Sequence, residues 1–468
     1  MIVRFVICGL ILASKVLGAD APAAEEKLNP PGLNTRADGY HGIWYANQKS
    51  DDEYKYKYSG GLGTYCAKHI PLAYYSEKAQ KTFFCYGGTV PGKQQLLEMV
   101  SFYDHKTGMV PRPTLLMDKG TSDAHDNPTI MLDDDGYVWV FASSHGTGRP
   151  SFIFRSDKPY STDSFTCLVK TNFSYPQPWH WPGKGFFFMH TRYSPERGMF
   201  WMTSPDGINW SEGFPLAYIG RGHYQTSGRG KDKIGSAFNY HPTEGGLNAR
   251  TNLYYVETKD YGKTWTNVQG ETLDLPLKAI KNPALVKDYE ADKRLVYMKD
   301  INFDAENRPV ILHLTSNGYA SGPENNPRTW TTAQWTGTEW TIRPVTNSDN
   351  NYDSGSLYIE ADGTWRILAS TEPGPQRYNT GGEIACWVSA DQGQNWKKTA
   401  DVTRDSKLNH SYVRRPVNAH PDFYGFWADG HGREPSESRL YFCDKTGTRV
   451  FRLPEKMTDD FAKPEPLE

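Results

Sequence analysis

Three turns in this chain share one spelling. TKDYGKTW (258–265) and SADQGQNW (389–396) fit the pattern S/T-x-D-x-G-x-x-W, the Asp-box, and SPDGINW (204–210) is a shortened copy. The pattern describes a hairpin turn in which the Asp side chain caps backbone N–H groups and the Trp plugs between strands. Its aspartates are structural, and no chemistry is assigned to them. A recurring turn implies a recurring unit, and the chain around the boxes is written in short strands: KTFFCYGG, TIMLD, YVWVFAS, SFIFRS, KGFFFMHT, KIGSAFNY, TNLYYVET, RLVYMKD, SLYIEAD, EIACWVS and RLYFCD. Almost no amphipathic helical stretch competes with them, so the chain reads as an all-β repeat architecture.

A second register counts the units. A polar residue followed by proline stands at the mouth of a strand in His69-Ile-Pro71, Asn127-Pro128, Tyr175-Pro176, Asn282-Pro283 and Arg415-Pro416, and strands near residues 226 and 355 fill the two gaps. Proline suits a strand's first residue because no ladder hydrogen bond is lost there. Seven starts at intervals of roughly 50 to 70 residues predict a seven-bladed β-propeller occupying 39–462 as one domain. GYHGIWYAN (39–47) is expected to close the ring and remove its sheet edges. Residues 20–38 and the tail KPEPLE read as flexible ends.

The N-terminus, MIVRFVICGLILASKVLGADAPAAEE, has Arg4, an apolar run from Phe5 to Ala13 and small residues near Gly18 and Ala19, which reads as a secretory signal peptide over 1–19. The mature chain is thus expected to be secreted or periplasmic, without a membrane span. Fifty-two basic and 54 acidic side chains nearly cancel, which argues against a nucleic-acid partner. Twenty-nine Tyr, 21 Phe and 14 Trp suit carbohydrate, whose C–H faces stack on aromatic rings. Cys66, Cys85, Cys167, Cys386 and Cys443 are scattered with no CxxC, so they read as buried hydrophobes with at most one bridge.

The propeller gives the stretch SDAHDNPTIMLDDDGYVWVFASSHG (122–146) a meaning. The first strand of each blade lines the central channel, so His125 before one strand and His145 after its partner arrive at one face. The next blade repeats the plan with Tyr175, the turn PGKG (182–185), and Arg192. KIGSAFNY ends at Tyr240 and His241, Arg250 opens the following strand, and the same logic carries His69, Arg377, Arg414 and Arg415 toward the rim. Taken singly, a rim histidine is usually a hydrogen-bonded surface residue and a Tyr-Pro is packing. The same topology in adjacent blades is what gathers proton-transfer and anion-binding groups. Hydrolysis by paired carboxylates would want two acids at a set separation, and Asp123, Asp126, Asp353 and Glu372 form no evident pair. β-Elimination from a uronic acid instead needs arginines to neutralise the C6 carboxylate, a base at C5 and an acid at O4. His, Tyr and Arg meet that need without a cofactor. With no EF-hand loop or HExxH motif, a structural calcium in the channel would be built from scattered carbonyls and carboxylates.

YHGIWY (40–45), KYSGGLGTYCAKHIP (57–71), KTFFCYGG (81–88), DAHDNP (123–128), FNYHP (238–242) with RTNLYY (250–255), and YVRRPVNAHPDFYGFWADGHGREPSESRLYF (412–442) make the mature chain resemble the BNR-repeat (bacterial neuraminidase repeat) propellers. Among these are the ulvan lyases and, more closely, the L-rhamnose-α-1,4-D-glucuronate lyases and related α-L-rhamnosidases acting on arabinogalactan side chains. The Arg-Ile-Pro signature of the sialidases, which share the Asp-box, is missing. The resemblance implies a polysaccharide lyase with His125, His145, Tyr175 and Arg192 in its active site, either His125 or Tyr175 serving as the base. It implies Arg250 as a second carboxylate-binding arginine, with Arg414 or Arg415 a looser match. It also implies an acidic polysaccharide or oligosaccharide substrate for an expected monomer, with rhamnose-capped glucuronate ends preferred. Two alternatives accompany it: rhamnoside hydrolysis by a lone histidine, His69 or His41, and a non-catalytic glycan-binding propeller.

Overall fold

The computed structural model describes residues 34–467, so the leader assigned to 1–19 and residues 20–33 lie outside the described residues. Seven antiparallel sheets follow one another along the chain, five of four strands and the first and last of five. Their innermost strands are Ala73–Ser76, Pro128–Leu132, Ser174–Trp181, Gln225–Arg229, Leu295–Phe303, Gly355–Ile359 and Asn409–Arg414. The fold is a seven-bladed β-propeller. No helix among the described residues is long and apolar enough to cross a membrane.

The strands are apolar on both faces because each blade is sandwiched between two others. In blade 3, Phe186 and Phe188 join Trp139 and Phe141 of blade 2, whereas Phe187 and Met189 join Tyr254 and Val256 of blade 4. Successive residues of a strand point to opposite faces, so GFFFM supplies two cores at once. The Asp-boxes occupy the turn after the third strand in blades 3, 4 and 6. In each, the box Asp accepts the backbone N–H of Asn209, Thr264 or Asn395 at 2.7 to 2.9 Å, and Gly207, Gly262 and Gly393 take positive φ. Trp210 and Trp265 pack toward the preceding blade, which makes the box a spacer between blades. The five cysteines among the described residues are buried and unbridged.

The structure refines several expectations about the frame. Residues 39–47 help to close the ring: Tyr40 and Gly42 donate to the Pro454 and Ser438 carbonyls of blade 7, while His41 and Ile43 bond with Thr89 and Gly87 at blade 1, before Trp44–Lys49 pairs with Tyr56–Gly61 in a hairpin. Closure is completed by Val417, which bonds with Ala73 and Tyr75, and by Phe461–Ala462, which pairs with Val110–Pro111 beside blade 1. Neither end that is described hangs free, since Thr35–Arg36 extends blade 1 and Glu465–Pro466 extends blade 7. Pro71, Pro128 and Pro176 do mark inner strands. Asn282-Pro283, however, precedes the outermost strand of blade 4, Leu285–Lys287, and Arg415-Pro416 follows the inner strand of blade 7.

The true counterpart of Tyr175 in blade 7 is Tyr412. Each sits in a bulge of its inner strand with left-handed φ, 54° and 52°. The bulge turns both rings toward the channel instead of a blade face.

Candidate active site

Within blade 2, Pro128 pairs with Ala142, so the residues before the first strand and after the second meet at one end of the hairpin. The single 3₁₀ turn Ala124–Asp126 is capped by Asp123, whose Oδ1 accepts the His125 N–H at 3.0 Å. The same carboxylate takes both imidazoles. His125 Nδ1 lies 2.5 Å from Oδ1 and His145 Nδ1 lies 3.0 Å from Oδ2, and the rings stack 4.0 Å apart at 14°.

Donation through Nδ1 leaves His125 Nε2 as the acceptor, facing Tyr65 Oη at 2.8 Å and Tyr58 Oη at 2.9 Å. Burial, reinforced by His145, lowers the His125 pKa against the pull of Asp123, which keeps the ring neutral at neutral pH. Asp123 responds oppositely: burial works to raise it, but the two histidines hold its carboxyl far below the usual range. Beneath it the fully buried Asp126 accepts the His145 N–H and two Arg149 bonds at 2.7 to 2.8 Å. The turn is therefore rigid.

Tyr175 faces this pair across a cavity of about 190 Å³, its ring 6.1 Å from His125 and 6.2 Å from His145. The phenol is buried, and its oxygen has no hydrogen-bond partner among the described residues. Burial, with Tyr193 and Tyr224 beside it, pushes its pKa well above 10, so it carries its proton.

The third wall is cationic. Arg197 and Arg250 lie 4.7 Å and 4.8 Å over the Tyr224 ring. Arg250 is buried and Arg197 half-buried, and among the described residues neither has a carboxylate within 4.0 Å; Arg197 donates to the His223 carbonyl, and Arg250 to the Leu247 carbonyl and the Tyr352 hydroxyl. Burial would raise the Tyr224 pKa, yet the two arginines prevail and lower it. Lys57 and Lys68 add to this wall, each pushed down to about 7, chiefly by burial. Taking a charge out of water without a partner is costly, so an enclosed set of cations is built to receive an anion. The remaining wall stacks Tyr58 on Tyr352 at 4.3 Å and sets Tyr65 edge-on to Tyr412.

The cavity thus brings together His125, His145, Tyr175 and Arg250. Other expected members are elsewhere. Arg192 ends its strand on the face opposite Tyr193, lying over Phe200 at 5.1 Å with Nη2 3.4 Å from Met202 Sδ. Tyr240 donates to Glu290 at 2.6 Å, and His241 stands behind Tyr224 at 4.8 Å. Arg414 holds the Cys66 and His69 carbonyls under the floor, and Arg415 pairs with Asp300 at 3.4 Å. Arg377 is exposed near Asp349. His69 is buried behind Tyr175, its ring 5.8 Å away and both nitrogens without partners among the described residues. His41 lines a separate cleft with Trp44, Thr89 and Ser436.

Sequence reasoning missed Arg197, Tyr193, Tyr224, Tyr58, Tyr65, Lys57 and Lys68. Only one of these left a trace: the turn YSPERG (193–198) sits where the Tyr175 hairpin hands the chain to the third strand, and its arginine lies five residues beyond Arg192. Lys57 and Tyr58 come from Tyr56–Gly61, the strand that pairs with the end of the segment expected to close the ring.

The model of BNR repeat-containing family members matches residues 93–348. The chain belongs to this family. The chain is 22% identical over 343 residues to the ulvan lyase of Nonlabens ulvanivorans, an alignment spanning 64% of this chain and 69% of that enzyme. Among solved structures, an ulvan lyase of polysaccharide lyase family PL25 superposes on this BNR-repeat chain with a TM-score of 0.69 at 17% identity, covering 88% of this chain and 96% of that one. An ulvan lyase of the same family bound to -[GlcA(1-4)Rha3S]- gives 0.68 at the same identity and coverage. At such identity the superposition establishes a shared fold.

Proposed function

We propose that this BNR-repeat chain is a polysaccharide lyase that cleaves the bond to O4 of a uronate by β-elimination. One observation carries the reading: Arg197, half-buried, and Arg250, buried, have no acidic partner among the described residues and share one small cavity with His125 and Tyr175. The arginines take the C6 carboxylate, which makes H5 acidic enough to remove. His125, neutral with its Nδ1–H held by Asp123, is the base at C5 through Nε2. Tyr175, kept protonated by burial, gives its proton to O4. The C4–O4 bond of the uronate breaks as the C4=C5 double bond forms, and O4 departs protonated on the released sugar, so the new end is an unsaturated uronate.

Names of related proteins support the same reading, since the relatives above are ulvan lyases and one is held with a glucuronate-containing oligosaccharide. A cavity below the ~300–1,000 Å³ of drug-sized pockets seats one sugar ring. That favours a terminal linkage, and by resemblance a rhamnose-α-1,4-glucuronate end of an arabinogalactan-like glycan, met by an exported enzyme. Hydrolysis is less well served: no acid lines the cavity among the described residues, and Asp123, behind the two histidines, is bound by both of them and by Arg149.

The test is digestion of gum arabic and ulvan in heavy-oxygen water. A lyase generates ultraviolet absorbance from the unsaturated uronate and leaves no solvent oxygen at the cleaved bond. Label incorporation with a saturated product, and activity persisting in His125→Ala, would move the chemistry to a hydrolase.

Two further outcomes are expected. Asp123→Asn should lower kcat roughly tenfold to a hundredfold, the range typical of outer partners that orient a histidine, with KM little changed in steady-state assays. Lys57 and Lys68, both near 7, lose charge as pH rises through that value. KM for an anionic substrate should therefore rise between about pH 7 and 8.5 while kcat holds, which initial rates across that window measure.

A further inference from the structure

On the face of the ring away from the cavity, the first and seventh blades meet at a cluster that plays no part in the site above. The third strand of blade 1, Leu97–Asp104, ends there at His105. The loop leaving the inner strand of blade 7 brings His420 and Asp422 to it. The two imidazoles lie 3.9 Å apart, between Tyr75 and Tyr103. One ligand atom from each of His105, His420 and Asp422 falls within 4.8 Å of the other two.

We propose that His105, His420 and Asp422 form a divalent transition-metal site that clasps blade 1 to blade 7. His105 is already arranged as a ligand. Its Nε2 lies 2.8 Å from Thr82 Oγ1, and its Nδ1 is buried without a partner among the described residues. A metal-bound histidine commonly donates its other N–H to a neighbour, which fixes the tautomer and the ring. His420 presents Nδ1, 3.8 Å from Asp422 Oδ2. The bond its Nδ1 accepts from the Asp422 N–H at 3.1 Å is the one the ion would replace. Arg449 holds Asp422 Oδ1 at 2.8 Å and leaves Oδ2 for the metal.

Ligand atoms around tetrahedral zinc, with bonds of about 2.0–2.2 Å, stand about 3.4 Å apart. Rotation of the half-exposed Asp422 side chain supplies much of the contraction. Two imidazole nitrogens and one carboxylate select zinc or a neighbouring transition metal over calcium or magnesium. With three protein ligands at the surface, water takes the fourth position.

The location gives the ion its purpose. At six of the seven junctions the chain passes directly from one blade to the next, whereas this one joins the two ends of the repeat and is held by the backbone bonds of residues 40–43 and Val417 and by the short strand Phe461–Ala462. An ion that binds only the closed ring stabilises it by mass action.

Calorimetric titration of the chelator-treated full chain with zinc chloride, and with calcium chloride for comparison, tests the proposal. One zinc and no calcium should bind per chain, and saturating zinc should raise the unfolding midpoint by about 3 °C or more. Asp422→Asn, a change at an exposed carboxylate that leaves the metal-free melting curve in place, should weaken zinc at least tenfold and remove the shift. His420→Gln should do the same, and His125→Ala, in the other histidine pair, should leave zinc binding intact. Absence of zinc binding, zinc binding unchanged in Asp422→Asn and His420→Gln, or its loss in His125→Ala would overturn the clasp.

Discussion

Tyr175→Phe is expected to lower kcat by about 10²–10⁴, the usual contribution of a positioned general acid, while KM changes little. The variant isolates chemistry from folding unusually well. The Tyr175 hydroxyl is buried with no partner among the described residues, so its removal breaks no protein hydrogen bond and leaves the thermal midpoint unchanged or slightly raised. Phenylalanine keeps the ring against His69 and Tyr224 and accepts the same bulged backbone. Release of unsaturated uronate measured by absorbance, with a melting curve for each protein, checks both halves. Turnover within threefold of the parent would remove Tyr175 from the proton inventory and pass the role to Tyr224, the one tyrosine of the cavity whose pKa is lowered.

Arg197→Lys should cost about 10²–10³ in kcat/KM, comparable to losing one donor aimed at developing negative charge. Lysine keeps a positive charge but not the planar fork that grips a carboxylate with two parallel bonds. It also gives up the stacking of the guanidinium over Tyr193 at 5.1 Å and Tyr224 at 4.7 Å. Arg192→Lys is the internal control. That side chain lies against Phe200 and Met202 outside the cavity, so its lysine variant should retain close to full activity. A pair of variants behaving the other way round would reverse the assignment made from strand geometry.

The two arginines also show where sequence reasoning stops. Both lie near the end of the Tyr175 hairpin, five residues apart, and a count along the chain favours Arg192 because it closes the strand. Alternation decides otherwise: Thr191 pairs with Ser174, Arg192 faces the opposite way, and only past the turn does Arg197 reach the channel. Likewise Tyr224 gains its lowered pKa from guanidinium groups of blades 3 and 4, a juxtaposition no local pattern encodes.

What the chain by itself determined is periodic and local. The Asp-boxes, the alternating strands and the inner-strand prolines imply seven blades, because turn chemistry and strand pleat act over a few residues. For the same reason the blade-2 hairpin alone placed His125 and His145 together. Tertiary structure decided what depends on groups far apart in sequence. It added Val417 and Phe461–Ala462 to the closure made by residues 40–43, and it laid the hairpin of Trp44–Lys49 and Tyr56–Gly61 over the channel mouth, delivering Lys57 and Tyr58. It also set Arg197 and Arg250 into one cavity away from any acid among the described residues. Enclosure and the missing partner are properties of the packed ring, and they are what make two ordinary arginines the proposed carboxylate site.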